Sequence, residues 1–350
     1  MTGRTDLAFG LASSVGPVPF GSTVDAVQFA FAVAPRFPTV PVTTEASASL
    51  LAQAVHGLAG VVLDGPALSG QALVANGTLP SSAEAAATGR RLDAPAFDAL
   101  RATAAALSPA GRSVEPAAVR LPVLGPVTLS RSLRAAGHPA ADADRVAVAT
   151  VSARAVTSLS HLQRSIGDAT TVVVVLCEPG LVGSAHPTFP LLPSEVRSLL
   201  DPVVDALDAA VVADAHLIGV HVPGPCDLPS VVGSGASVLG LPVDRSLVGW
   251  ASLLGDYLER GGRLCWGVVP VDRPFGTSTE PHWRRLIELW TSLVAEGVDP
   301  MLLRLRSSFS PADGLAHFAP AQAELVMSLT SGVAERVGHQ AVAARLSLGA

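Results

Sequence analysis

Short β-branched runs, each followed by a turn-rich stretch and an Ala/Leu-rich helical period, repeat from one end of this chain to the other. Few folds accommodate such an alternation. The runs are Leu7–Ser14, Arg36–Val42, Ala118–Thr128, Thr171–Glu178, Leu217–Val222, Ser237–Val243, Arg263–Val269 and Met301–Ser307. Most are apolar on both sides, as expected when helices cover both faces of a parallel sheet. Helical periods are read at Val24–Ala34, Thr44–Leu58, Ala94–Leu107, Ala140–Ile166, Pro193–Ala213, Asp227–Val232, Ser246–Arg260, Glu280–Glu296 and Pro320–Val337. Eight strands alternating with helices over 350 residues predict a single-domain α/β chain, a (β/α)8 TIM barrel. Such a barrel ordinarily needs about 250 residues. The surplus is assigned to an insertion after the second strand, about 57–111, with an extra strand at Val61–Asp64 and a loop at Asn76–Ser82. The rival architecture, an open doubly wound sheet, has no G-x-G-x-x-G after the first strand to support it, and Gly233-Ser234-Gly235 lies on the wrong side of a strand.

Composition narrows the function. Hydrophobic residues make up 49% and charged residues 15%, enough apolar material for a large core. A net charge of -6 with 4% aromatics supplies neither the cationic surface nor the stacking rings that nucleic acid requires. Lysine is absent, so all 23 basic residues are arginine. Schiff-base, pyridoxal and P-loop chemistry are thereby excluded. Cys177, Cys226 and Cys265 are too few and too scattered for a disulfide framework. Met1–Phe20 has no secretory pattern, and the longest apolar segments, Val172–Cys177 and Ala209–Val222, are too short or too interrupted to span a bilayer. A cytoplasmic protein with a small-molecule substrate is expected, without nucleic-acid or membrane partners; its oligomeric state is left open.

A barrel of this type builds its active site at the C-terminal ends of its strands. Those ends read Ala12-Ser13-Ser14, Gly125-Pro126-Val127-Thr128, Cys177-Glu178-Pro179, His221-Val222-Pro223, Asp244, Pro270-Val271-Asp272 and Asp313-Gly314-Leu315. The order of Gly125-Pro126-Val127-Thr128-Leu129, Cys177-Glu178-Pro179-Gly180-Leu181, His221, Trp266-Gly267-Val268-Val269-Pro270 and Gly314-Leu315 resembles the catalytic barrel of cobalamin-independent methionine synthases. The resemblance is closest to their single-barrel relatives, in the superfamily that includes uroporphyrinogen decarboxylase, and it runs over nearly the whole chain. It implies zinc-dependent methyl transfer to a thiol such as homocysteine, with a folate or corrinoid as methyl donor.

The same resemblance implies a metal site of a His-x-Cys, an acidic residue on the next strand end and a Cys before Gly-Leu. Here His221 and Asp244 match, whereas Pro223 and Asp313 stand where the two cysteines belong. Cys226, five residues after His221, is a further candidate ligand, although Pro223 and Pro225 restrict its loop. A His and two carboxylates form a harder site than one with two thiolates, suited to zinc with N/O ligands or to manganese or iron. The family's Asp-Glu-Pro-Ala, whose aspartate grips the substrate ammonium, is Cys177-Glu178-Pro179-Gly180 here. Glu178, Cys177 and Ser13, the last matching the family's Gly-Ser turn, are thus the expected substrate contacts.

Two functions follow: a methyltransferase with a divergent metal site at His221, Asp244, Asp313 and Cys226, or a barrel that has lost its metal and binds a small molecule or a protein. Cys177 can be read as a nucleophile or as a buried hydrophobe, and His186 as an acid–base group or a surface-loop residue. Cys265 and Trp266 are read as core, His216 as lying at the stability face, and Trp283 as nearer the active end. The decarboxylase branch is disfavoured because Tyr257 is the only tyrosine and the first strand lacks arginine.

Overall fold

The computed structural model describes residues 7–65, 71–108, 115–166, 170–210 and 216–347. Strands β1 (Val61–Asp64) and β2 (Ala72–Ala75) pair antiparallel as a hairpin. Six more strands, β3 (Ala118–Leu124), β4 (Thr171–Cys177), β5 (His216–His221), β6 (Val238–Pro242), β7 (Arg263–Val269) and β8 (Ser307–Pro311), form a curled parallel sheet in sequence order. Helices stand between consecutive parallel strands, including Pro126–Ala135, Ala140–Gln163, Pro193–Asp208 and Glu280–Ala295. Every residue of β3, β4 and β7 is buried, which explains their lack of polar alternation.

The first two expected strands are present as single bridges. Ala12 bridges Phe309 of β8, Pro17 bridges Val42, and Thr39 bridges Arg120 of β3, all parallel. Backbone bonds accompany them, among them Phe309 N to Leu11 O at 2.8 Å, Val18 N to Val42 O at 2.8 Å and Val40 N to Arg120 O at 2.8 Å. The path from β8 to β3 is therefore spanned, but no regular ladder forms. Pro17, Pro19, Pro38 and Pro41 fall in these segments, and proline has no N–H to donate to a ladder.

Two other expectations are corrected. The third strand ends at Leu124, and Pro126–Ala135 is a helix with proline in its first turn. The run read as a strand at Met301–Ser307 is largely the helix Pro300–Leu305, capped by Asp299, whose carboxylate accepts from Met301 N at 2.6 Å; the strand is Ser307–Pro311. The apolar segment Ala209–Val222 and the end of the expected helix Pro193–Ala213 include residues 211–215, outside the described residues. Within 57–111, of which 66–70 and 109–111 lie outside the described residues, the hairpin is joined by a helix at Ser82–Gly89 with a Ser81/Glu84 capping box.

The sheet separates two apolar layers. On its concave side Leu7, Phe37, Val173, Val175, Cys177 and Cys265 cluster. On its convex side Trp266, fully buried, meets Trp290 of the helix Glu280–Ala295 at 6.2 Å between ring centroids and donates from Nε1 to Ser307 Oγ at 2.8 Å. A buried ring with a satisfied N–H contributes about 1.5–3 kcal/mol through apolar burial. Among the described residues, no helix is long and apolar enough to cross a membrane.

Candidate functional site

Parallel register puts Leu124, Cys177, His221 and Gly240 at one level across β3 to β6. Cα partners in a sheet project to the same face, and Leu124, Cys177 and His221 all line a cavity of about 390 Å³ at the C-terminal end of the sheet. Its opposite wall comes from the β8-to-β3 joint, through Pro17, Val42 and Thr43, with Asp313 beside them. Leu50 and Gln71 help close the cavity, with Gln71 held by Ser49 Oγ at 2.5 Å. Thr128 and Ser132 of the helix Pro126–Ala135 complete the rim. The volume is within the ~300–1,000 Å³ of small-molecule clefts.

His221 is 4% exposed, and neither ring nitrogen has a hydrogen-bond partner. Burial first, and the nearby Arg120 charge second, push its pKa down to about 3, so the ring is neutral at physiological pH. A neutral imidazole offers one donor and one acceptor, and here both are unspent. Gly240 permits this placement: a Cβ there would lie 2.6 Å from His221 Nδ1. Asp313 accepts from Gly314 N at 2.7 Å, and burial raises its carboxyl above the usual range. Cys177 is pushed up to about 12, chiefly by burial. The thiol is therefore protonated, and the nucleophile reading lacks its thiolate.

Of the expected site residues, Cys177, His221 and Asp313 share this cavity. The others are elsewhere or otherwise engaged. Ser13 is fully buried, its hydroxyl 2.8 Å from Thr39 Oγ1 at the joint. Glu178, also fully buried, accepts from Val127 N at 2.9 Å, Thr128 N at 2.7 Å and Thr128 Oγ1. Its oxygens satisfy the first turn of the helix Pro126–Ala135 instead of facing a substrate. Asp244 lines a separate cleft with Arg273 and Arg285 and accepts from Ser246 N at 2.8 Å. Cys226 is buried among apolar side chains, and its thiol is pushed up to about 12 by burial.

The metal set His221, Asp244, Asp313 and Cys226 is therefore not assembled. Among the described residues, no three His, Cys, Asp or Glu side chains come together as a metal-holding group. Cys177, His221 and Asp313 line one cavity but do not gather into such a group, so the three protein ligands of a catalytic zinc centre are not assembled and the residues do not fit the metal. His186 is exposed and bonded to Thr188 Oγ1 at 2.8 Å within its own loop. All three cysteines are buried and free. A thiol titration with Ellman's reagent is expected to find fewer than one reactive thiol per folded chain and all three in guanidinium chloride; rapid reaction of two or more in the native state would contradict this burial.

Neither a protein-family model nor a curated protein sequence matches the chain. Solved structures do. A methyltransferase from Methanosarcina mazei superposes over 96% of this chain and 95% of its own, at 12% identity and a TM-score of 0.58. A protein from Listeria monocytogenes assigned as a vitamin-B12-independent methionine synthase matches over 95% of this chain and 98% of its own, at 11% identity and a TM-score of 0.53. The chain shares their fold. The resemblance read from the strand ends thus holds at the level of the fold, an α/β curled parallel sheet of the TIM-barrel type.

Sequence reasoning missed Arg120. It lies on β3 opposite Val173, four residues before Leu124 and so at the same strand parity, and is 3% exposed. A charge at an inward position of an otherwise apolar strand was the available signal.

Proposed function

We propose that this chain is a methionine-synthase-like (β/α)8 barrel, its first two staves reduced to bridges, that binds a small organic molecule at the mouth. The observation that carries this reading is His221: an imidazole with both nitrogens unpartnered, in a cavity of ligand size. Buried polar groups are ordinarily bonded, and leaving one unpaired costs about 1–3 kcal/mol. A ligand that pairs with the ring recovers that cost and positions itself against the neutral Cys177 and the Asp313 carboxyl.

A second reading, methyl transfer to a bound thiol, is favoured by the two structures of shared fold. It meets a chemical obstacle in these residues. The acceptor thiol must lose its proton, the assembled metal ligands that would promote that loss are missing among the described residues, and a ring held near pKa 3 is a weak base. Binding is the better-supported function.

The test is a thermal-shift series with homocysteine and other small thiols, hydroxy acids and amides, on the wild type and His221→Ala. At least one class is expected to give a saturable rise in Tm that weakens about tenfold or more in the variant, the size of one or two lost hydrogen bonds. An absence of any saturable response overturns the binding reading. Methylated product from homocysteine and a methyl-folate or methylcobalamin donor, lost in His221→Ala, would instead establish the second.

A further inference from the structure

Beneath the cavity lining, inside the curled sheet, lies a buried arginine, Arg120. Arg120 pairs in register with Val173 and bridges Thr39, and its side chain stays inside the curled sheet among Leu7, Phe37, Val175 and Gly240. It is 3% exposed. Its Nη1 donates to Cys265 Sγ at 3.4 Å. Cys265 pairs with Gly240, which pairs with His221, so the guanidinium has risen to the level of the cavity lining. The field agrees with this placement, because the Arg120 charge acts on both Cys177 and His221.

Among the described residues no carboxylate forms an ion pair with Arg120, and a weak sulfur acceptor is the one hydrogen-bond partner of its guanidinium. A guanidinium carries five N–H donors and remains charged in proteins. Buried charges are ordinarily paired, since removing an ion from water costs several kcal/mol. The guanidinium's charge acts on two groups that are neutral at physiological pH, the His221 ring and the Cys177 thiol. The carboxyl of the cavity, Asp313, is raised above the usual range by burial and, among the described residues, makes no ion pair with Arg120.

We propose that the molecule bound in this cavity is a small organic acid whose carboxylate docks toward Arg120, with the neutral His221 ring donating a hydrogen bond beside it. This rests on the reading of the cavity as a ligand site and adds the class of ligand. A carboxylate supplies the acceptors that the planar fork of arginine matches. The uncharged remainder of the acid occupies the mouth near Leu50 and Thr128.

The probes are acetate, propionate and lactate, each against its amide, with ionic strength matched by sodium chloride. Saturable rises in Tm are expected for at least one acid and not for its amide. In Arg120→Met the acid affinity falls about tenfold or more, the loss of a charge-assisted bond, while the ligand-free protein melts no lower than the wild type because an unpaired buried charge has gone. Arg120→Lys, which keeps the charge without the fork, retains a weakened acid response and serves if the Met variant does not fold. Equal responses to acid and amide, or an acid response unchanged in Arg120→Met, overturn the charge assignment while leaving the cavity a ligand site. No saturable response to either class, in either protein, overturns both.

Discussion

Replacing Glu178 by alanine is expected to destabilise the folded chain by about 3–5 kcal/mol, the range for breaking a buried charged network by removing one partner. Three donors lose their acceptor at once: the backbone N–H groups of Val127 and Thr128 and the Thr128 hydroxyl. All three stand at the start of the helix Pro126–Ala135, where backbone N–H groups have no intrahelical partner. Water cannot replace the carboxylate, because Glu178 has no exposed surface. The carboxyl fills its space closely enough that Gly125 must be glycine, a Cβ there overlapping Glu178.

The same residue sets a pH trend. Burial, the largest influence, raises its pKa from 4.5 to about 7 against the opposing hydrogen bonds. The folded chain therefore holds this proton more tightly than the unfolded chain does, and stability falls as pH rises from about 4.5 to 7. Glu178→Gln, which cannot titrate, should lie furthest below the wild type near pH 5, and the gap should close by about 3 kcal/mol by pH 8. Urea unfolding at the two pH values measures both. A Glu178→Ala loss under 1 kcal/mol would show that the carboxylate does not hold this helix.

His221 gives the opposite slope. Its folded pKa of about 3 lies below the ordinary 6.5, so acid protonates this ring in the unfolded chain long before the folded one. Its contribution to stability is complete above pH 6.5 and is lost as pH falls toward 3, amounting to roughly 3–5 kcal/mol over that window. His221→Leu is expected to equal or exceed the wild type at pH 7, since it removes two unpaired buried nitrogens. It should pull ahead further at pH 4. Parallel acid-unfolding curves for the two proteins would disprove the depressed basicity.

The fold was legible because β3 to β7 are largely apolar on both faces and alternate with helices, a pattern with one common solution; β8, Ser307-Ser308-Phe309-Ser310-Pro311, lacks that signature. Local errors came from start signals outweighed by runs of apolar residues. Asp299-Pro300 announces a helix, yet the Met301–Leu305 run reads as a strand. Gly125-Pro126 marks a similar boundary. The site was legible only by level. His221 and Cys177 end adjacent strands in register and do reach one cavity, but Asp244 follows the end of β6, where the chain has left the sheet and the carboxylate caps the next turn. Glu178 is adjacent to Cys177 and so has the opposite strand parity; that parity, applied strictly, also marks Arg120 as facing inward.

The proline-interrupted joint between β8 and β3 is the weakest seam of the sheet, held by scattered bonds where its neighbours have ladders. Pro17, Val42 and Thr43 of that seam form one bank of the cavity, and Cys177 and His221 of the laddered strands form the other. An occupant of the proposed site would touch both banks and rivet the N-terminal segments to the laddered strands.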